Sequence, residues 1–111
     1  MNREGFSEFY KDLVQEYYSR MIGKGAEYST DEDAFDNFKT AAGILGGTQE
    51  QALLGFVTKH IVSIRDLIIA DDLDNYEMVN EKIGDIIVYM VLLLGMIKER
   101  DNGGFETTRV S

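Results

Sequence analysis

The sequence predicts an all-α, four-helix bundle-like single domain, and three observations carry that prediction. Apolar residues recur at helical spacing along most of the chain, proline is absent, and glycine pairs and capping residues cut the apolar runs into four. No period-two alternation is long enough for a sheet, and no repeat of roughly 20–50 residues is visible. At 111 residues, with 44% hydrophobic and 11% aromatic composition, the chain can build one core and has no length for a second.

A first helix is expected over about residues 7–22, where Phe6, Phe9, Tyr10, Leu13, Tyr17 and Met21 recur at helical spacing. Gly23 and Gly25 are expected to close it and to leave 23–30 as a loop. Thr30 is the expected N-cap of the second helix, with Asp31, Glu32 and Asp33 in a first turn where the helix dipole favours negative charge. Its inward stripe is Phe35, Phe38, Ala42 and Leu45, and Gly46-Gly47 stops it. Thr48 with Gln51 is a capping box that opens the third helix, whose inward residues are Leu54, Val57, Ile61, Ile64, Leu67 and Ile68. That helix ends in the acidic loop 71–74. Asp74 with Glu77 forms a second box opening the fourth helix over about residues 75–100, where Lys98 and Arg100 suit the C-terminal dipole. The helical domain thus spans 1–100. The tail 101–111 is rich in Gly and Thr without a helical pattern, and is expected to be flexible.

The fourth helix is too apolar for a small isolated bundle. From residue 86 to 97 only Tyr89 and Gly95 break the apolar run, whereas a buried stripe needs about three or four apolar positions per two turns. The run is too short to span a bilayer, which takes roughly 20 residues. Either the other three helices enclose it, or the chain is a homo-oligomer built around this last long helix; the second is favoured.

A net charge of −9 opposes direct binding of nucleic acid, whose phosphates it would repel. It permits a nucleotide ligand, because carboxylates can hold a divalent cation that in turn binds phosphate. The plain alternative is an acidic surface that keeps the protein soluble. Cysteine is absent, which excludes disulfides, thiolate metal sites and a cysteine nucleophile. With no apolar signal core near the N-terminus, a cytoplasmic location is expected and no membrane partner.

Three segments can carry chemistry. In the fourth helix, Glu81, Asp85 and Tyr89 are spaced by four and share a face. Asp85 stands where the helix turns apolar, so its charge must be paired, hydrated or metal-bound. Two carboxylates four apart can share one divalent cation; the alternative is a salt bridge from Asp85 to Lys59 or Arg65. In the third helix, Lys59, Ser63 and Asp66 fall along one side with His60 at its edge, and Lys59 and Arg65 can meet phosphate oxygens. His60 alone is better explained as structural. Around the second helix, Asp33 and Asp36 are three apart, and Asn37 can read a base or ribose through its amide.

In this order the segments resemble the MazG-like all-α nucleoside triphosphate pyrophosphohydrolase superfamily, closest to small phage and prophage members called nucleotide-modification-associated proteins. The matching elements are Lys24 to Tyr28 for K-x-x-x-Y, Phe35 to Phe38 for F-x-N-F, Lys59 with Arg65, and Glu81–Asp85–Tyr89. Glu81-Lys82-Ile83-Gly84-Asp85 is also similar to the E-x-L-G-D of MazG proper. The resemblance covers roughly residues 20–98. It implies magnesium-dependent cleavage between the α- and β-phosphates of a nucleotide, with Asp85 and Glu81 as catalytic metal ligands and Asp36 as a third. Lys59 and Arg65 would contact phosphate, and Asn37 or Tyr28 the base. Two departures stand out: the third helix has no E-x-x-E pair, and the Glu of the E-x-x-D motif is Lys82 here. The competing expectation is a non-catalytic oligomeric phage protein that binds a nucleotide signal or a host protein.

Overall fold

The computed structural model describes residues 1–28 and 33–102; of residues 24–28 and 102 it describes the helical backbone. Among the described residues the fold is all-α, with four helices: α1 (Arg3–Tyr28), α2 (Asp36–Leu45), α3 (Gln49–Ile69) and α4 (Tyr76–Asn102). They close a ring of contacts. The α3–α4 pair packs most extensively, α2 lies on α3, and α1 touches α4 and α2 over much smaller areas.

Each boundary has a local cause. α1 opens earlier than expected, because the Asn2 side chain accepts the Gly5 N–H at 2.8 Å and caps the first turn. It also runs through Gly23 and Gly25 instead of stopping at them. Glycine inside a helix costs about 1 kcal/mol relative to alanine, which weakens a helix without ending it. A stop requires the left-handed region, and the described glycines that occupy it are Gly46 (φ 79°) and Gly47 (φ 127°), where α2 does end. α2 begins at Asp36, later than its expected Thr30 cap, which lies outside the described residues. There the Asp33 side chain accepts the Phe35 N–H at 3.0 Å and sets the turn into the helix. The Thr48–Gln51 capping box forms in full. At α4 the cap is one residue later than expected: Asn75, not Asp74, accepts the Met78 N–H at 3.1 Å. α4 then continues through Asn102 into the expected tail, and residues 103–111 lie outside the described part.

The core is small and aromatic. Phe35, Phe38, Leu53, Val57, Tyr89 and Met96 are buried together, with Phe56, Ile86, Leu92 and Leu93 packed against them. Phe38 meets Phe56 at 5.2 Å between ring centroids, and Tyr89 stands edge-on to both. Gly95 admits this arrangement, since a Cβ there would lie 3.0 Å from Phe35 Cζ. Two expected stripes are corrected. Leu45 is 75% exposed at the end of α2, which has already passed the core. In α3 the buried line runs through Leu53 and Val57 and continues along half-buried His60, Ile64 and Leu67, leaving Leu54, Ile61 and Ile68 exposed. The α3 face is set by where α4 crosses it, a direction that spacing alone does not contain.

The other three helices do not enclose α4. Val88, Tyr89 and Met96 are buried, while Ile87, Met90, Val91, Leu94 and Ile97 remain exposed. Among the described residues no helix is long and apolar enough to cross a membrane.

Candidate functional site

The crossing of α1 and α4 concentrates polar side chains that the rest of the fold does not use. Gly84 makes the crossing close. A Cβ on it would overlap the Arg20 guanidinium and lie 2.8 Å from Tyr17 Cε1. Through this gap Arg20 reaches across α4 and donates from Nη1 to the Glu81 carbonyl at 3.1 Å. The same nitrogen lies 3.9 Å from Asp85 Oδ1. Its Nη2 donates to Glu16 Oε2 at 3.2 Å, and the guanidinium sits 5.1 Å above the Tyr17 ring.

Asp85 is the buried charged residue of the described chain, 9% exposed. A carboxylate so placed needs compensation, and a cation at the crossing comes from α1, whereas the alternative to a metal read from the sequence was Lys59 or Arg65 of α3. Asn80 completes the network: it accepts the Tyr17 hydroxyl at 2.5 Å and donates to Glu16 at 3.0 Å. Burial pushes the Tyr17 phenol above its usual value, with Arg20 opposing and Glu16 reinforcing that shift, so Tyr17 stays a hydrogen-bond donor at neutral pH. Beside this network opens a cleft of about 390 Å³, lined by Glu16, Arg20, Glu77, Asn80 and Glu81.

The residues singled out in the sequence are thus only partly gathered. Glu81 and Asp85 stand on one face of α4, but that face passes from cleft to core: Glu81 is exposed, Asp85 nearly buried, and Tyr89 deep among Phe38 and Phe56. Asp36 opens α2, exposed, with half-buried Asn37 beside it. Among the described residues no three His, Asp or Glu side chains stand close enough to hold a metal ion, so Asp36 is not drawn to Asp85 and Glu81. Lys59 is exposed on α3. Arg65 is exposed too and donates to the adjacent Asp66 from Nε at 3.1 Å and Nη2 at 2.9 Å. The His60 ring lies 5.8 Å from that of Tyr89, in keeping with a structural role. Tyr28 ends α1; its side chain, like that of Lys24, lies outside the described part.

Glu16, Arg20, Glu77 and Asn80 were absent from the candidates the sequence offered. The sequence held one partial signal, the glycine beside Asp85 in the interior of a helix, although Gly23, Gly43 and Gly55 are also helical and have nothing close to them. What approaches could not be read, because Arg20 meets Glu81 across a sequence separation of 61.

What the crossing can do chemically follows from its donors. Carboxylate oxygens of Glu77, Glu81 and Asp85 are hard ligands of the kind magnesium takes, and a magnesium site needs only one or two of them besides water and substrate phosphate. A guanidinium lining the same cleft can pair with phosphate oxygens. Comparison of the chain with protein-family models, with curated proteins and with solved structures returned no match.

Proposed function

We propose that the chain is a magnesium-dependent (deoxy)nucleoside triphosphate pyrophosphohydrolase of the MazG-like kind, acting in phage or bacterial nucleotide metabolism. The observation that carries this reading is Asp85, a carboxylate nearly buried at the α1–α4 crossing, 3.9 Å from the Arg20 guanidinium that lines an acidic cleft with Glu81. Burying a charge is costly, and a fold keeps one where it has work to do or a counter-ion to hold it. In this reading Asp85 and Glu81 hold the cation, and Arg20 receives the phosphates of the incoming nucleotide. Magnesium bound there would polarise the phosphate under attack and supply a nucleophilic water at neutral pH. The low-dielectric wall of α4 strengthens each charge contact made at Asp85.

A second reading is favoured by a specific observation. Arg20 already serves Asp85 as a cation, and α3 carries no E-x-x-E pair. Both features suit a non-catalytic protein that binds a nucleotide signal or a host protein on the same scaffold.

The test is release of pyrophosphate and phosphate from a panel of nucleoside and deoxynucleoside triphosphates, with and without magnesium or manganese. The wild type is expected to show metal-dependent turnover. In Asp85→Asn that turnover should fall by at least about 100-fold while the circular dichroism spectrum stays helical. No turnover with any nucleotide sinks the enzyme reading. A thermal-shift screen of the same panel then tests the second.

A further inference from the structure

Arg20 touches both ends of the polar network at the α1–α4 crossing, and its contacts there are unequal. Nη2 donates to Glu16 Oε2 at 3.2 Å and Nη1 to the Glu81 carbonyl at 3.1 Å, both within hydrogen-bond range. Asp85 Oδ1 stands 3.9 Å from Nη1, so charge alone holds these two atoms together. The two carboxylates also differ in setting: the Glu16 side chain is 50% exposed, the Asp85 side chain 11%. We infer that Arg20 is a displaceable counter-ion: a divalent cation and the guanidinium compete for Asp85, and the released guanidinium stays in the cleft on Glu16. This rests on the reading of Asp85 as a metal ligand, and it adds what stands against that ligand before the metal arrives.

Charge and reach make the two occupants exclusive. Magnesium sits at about 2.1 Å from a carboxylate oxygen, so a cation on Asp85 Oδ1 would lie within about 6 Å of Arg20 Nη1. Repulsion between a guanidinium and a divalent cation at that range, in a partly buried site, is well above thermal energy. One of the two must yield. Arg20 can, because Asp85 is its longest polar contact and Glu16 lies four residues back on its own helix. The bond to the Glu81 carbonyl is the cost, and water in an open cleft can replace it.

The same device accounts for contacts that do not involve Asp85. Tyr17 donates to Asn80 Oδ1, and Asn80 Nδ2 donates to Glu16 Oε2 at 3.0 Å. Tyr17 thus fixes which way the amide faces, and the amide fixes the Glu16 oxygen that Arg20 uses. Joining α1 to α4 does not require this, since Arg20 and the Glu81 carbonyl already join them. A landing partner for a guanidinium that moves does require it.

Manganese alone, without nucleotide, is the probe, titrated into the full chain and followed by the electron paramagnetic resonance of the free ion. Arg20→Gln keeps a donor for the Glu81 carbonyl and removes the charge. Its manganese affinity is expected to exceed that of the wild type by at least about tenfold. Arg20→Lys keeps the charge and should stay within about threefold of the wild type. Saturating manganese should also raise the melting temperature of Arg20→Gln by more than that of the wild type. Equal affinity in wild type and Arg20→Gln, with binding lost in Asp85→Asn, overturns the competition and leaves the metal reading standing. Weaker binding by an Arg20→Gln chain that keeps its helical circular dichroism overturns it as well. No binding by either protein removes the metal reading and the competition together. A second measurement uses the unaltered chain: exchange of the Arg20 guanidinium protons with water, read by nuclear magnetic resonance, should quicken at saturating magnesium. Exchange that is unchanged or slower there overturns the displacement.

Discussion

The two halves of this molecule use apolar residues in opposite ways. In the α2–α3–α4 half, Phe38, Leu53, Val57 and Met96 are fully buried in one cluster, and each helix contributes to the burial of the others. In the α1 half, a helix of 26 residues buries a single side chain, Tyr17, among those described. Leu13 and Met21 are half-buried, and its hydrogen bonds and ion pair to α4 are Arg20 to the Glu81 carbonyl and Asp85, Tyr17 to Asn80, and Asn80 to Glu16. α1 is the least apolar of the four helices, but it still carries an apolar face. What separates them is whether the apolar face finds a cover within the chain. A helix held by one buried ring, two half-buried side chains and a charged network is a module apart from the core, and its network lies where a ligand can reach it.

The largest expected effect tests the first half. Phe38→Ala should cost about 3–5 kcal/mol, at any protein concentration, because the cavity opens inside one chain. Tyr18→Ala, on the exposed α1 stripe, should cost below about 1 kcal/mol. Urea midpoints measured for both variants check the contrast. Equal losses in the two would erase the distinction between the halves.

A smaller effect is expected at Gly84. Alanine there gains up to about 1 kcal/mol of helix propensity, but its Cβ meets the Arg20 guanidinium and the Tyr17 ring. Crowding of this kind costs about 1–3 kcal/mol, so Gly84→Ala should be destabilising on balance by about 1 kcal/mol. The loss should be local. Amide hydrogen exchange is expected to speed up along α1 while the α3–α4 core keeps its protection. Uniform acceleration across all four helices would mean that α1 is not a separable module.

The same division explains what could be read in advance. The Thr48–Gln51 box and the Gly46-Gly47 stop are written within four residues of where they act, so they were legible. Gly23 and Gly25 carried the same letter and a different outcome, because glycine permits a left-handed turn without requiring one. The aromatic core residues Phe35 and Phe38 were legible from their spacing. Leu53 was not, because the buried line of α3 passes through His60 and is fixed by the position of α4. Asp85 announced itself as a charge in apolar surroundings. Arg20 looked like one more surface arginine on α1, since its partners other than Glu16 and the Tyr17 ring lie on α4.

The smallest expected effect lies in the electrostatics of the core half. Lys39 Nζ donates to Asp33 Oδ2 at 2.7 Å and approaches Glu99 of α4 at 3.7 Å, pinning the start of α2 to α4. The hydrogen bond from Lys39, with that from the Phe35 N–H, holds the Asp33 carboxyl below its ordinary value near 3.8; the bond to Asp33 raises Lys39 above 10.5. A carboxyl depressed on folding stabilises above its unfolded value and loses that contribution as pH falls through the folded one. A raised amine stabilises below its unfolded value and loses it as pH rises through the folded one. Stability from this pair is therefore level between about pH 4 and pH 10 and falls off on either side. Both side chains are partly exposed, so the pair contributes at most about 1 kcal/mol. Asp33→Asn keeps an oxygen for the Phe35 N–H and replaces the oxygen that accepts from Lys39 with an NH2 donor, removing the ion pair and its hydrogen bond. Its deficit in melting temperature should be present at pH 7 and shrink as the pH falls through the folded-state value, where the wild-type carboxyl becomes neutral as well. A deficit that does not shrink would trace the effect to the turn rather than to the ion pair. In the core half such a pair fastens helices that packing already holds. At the α1–α4 crossing the corresponding charges act beside one buried ring and the half-buried Leu13 and Met21.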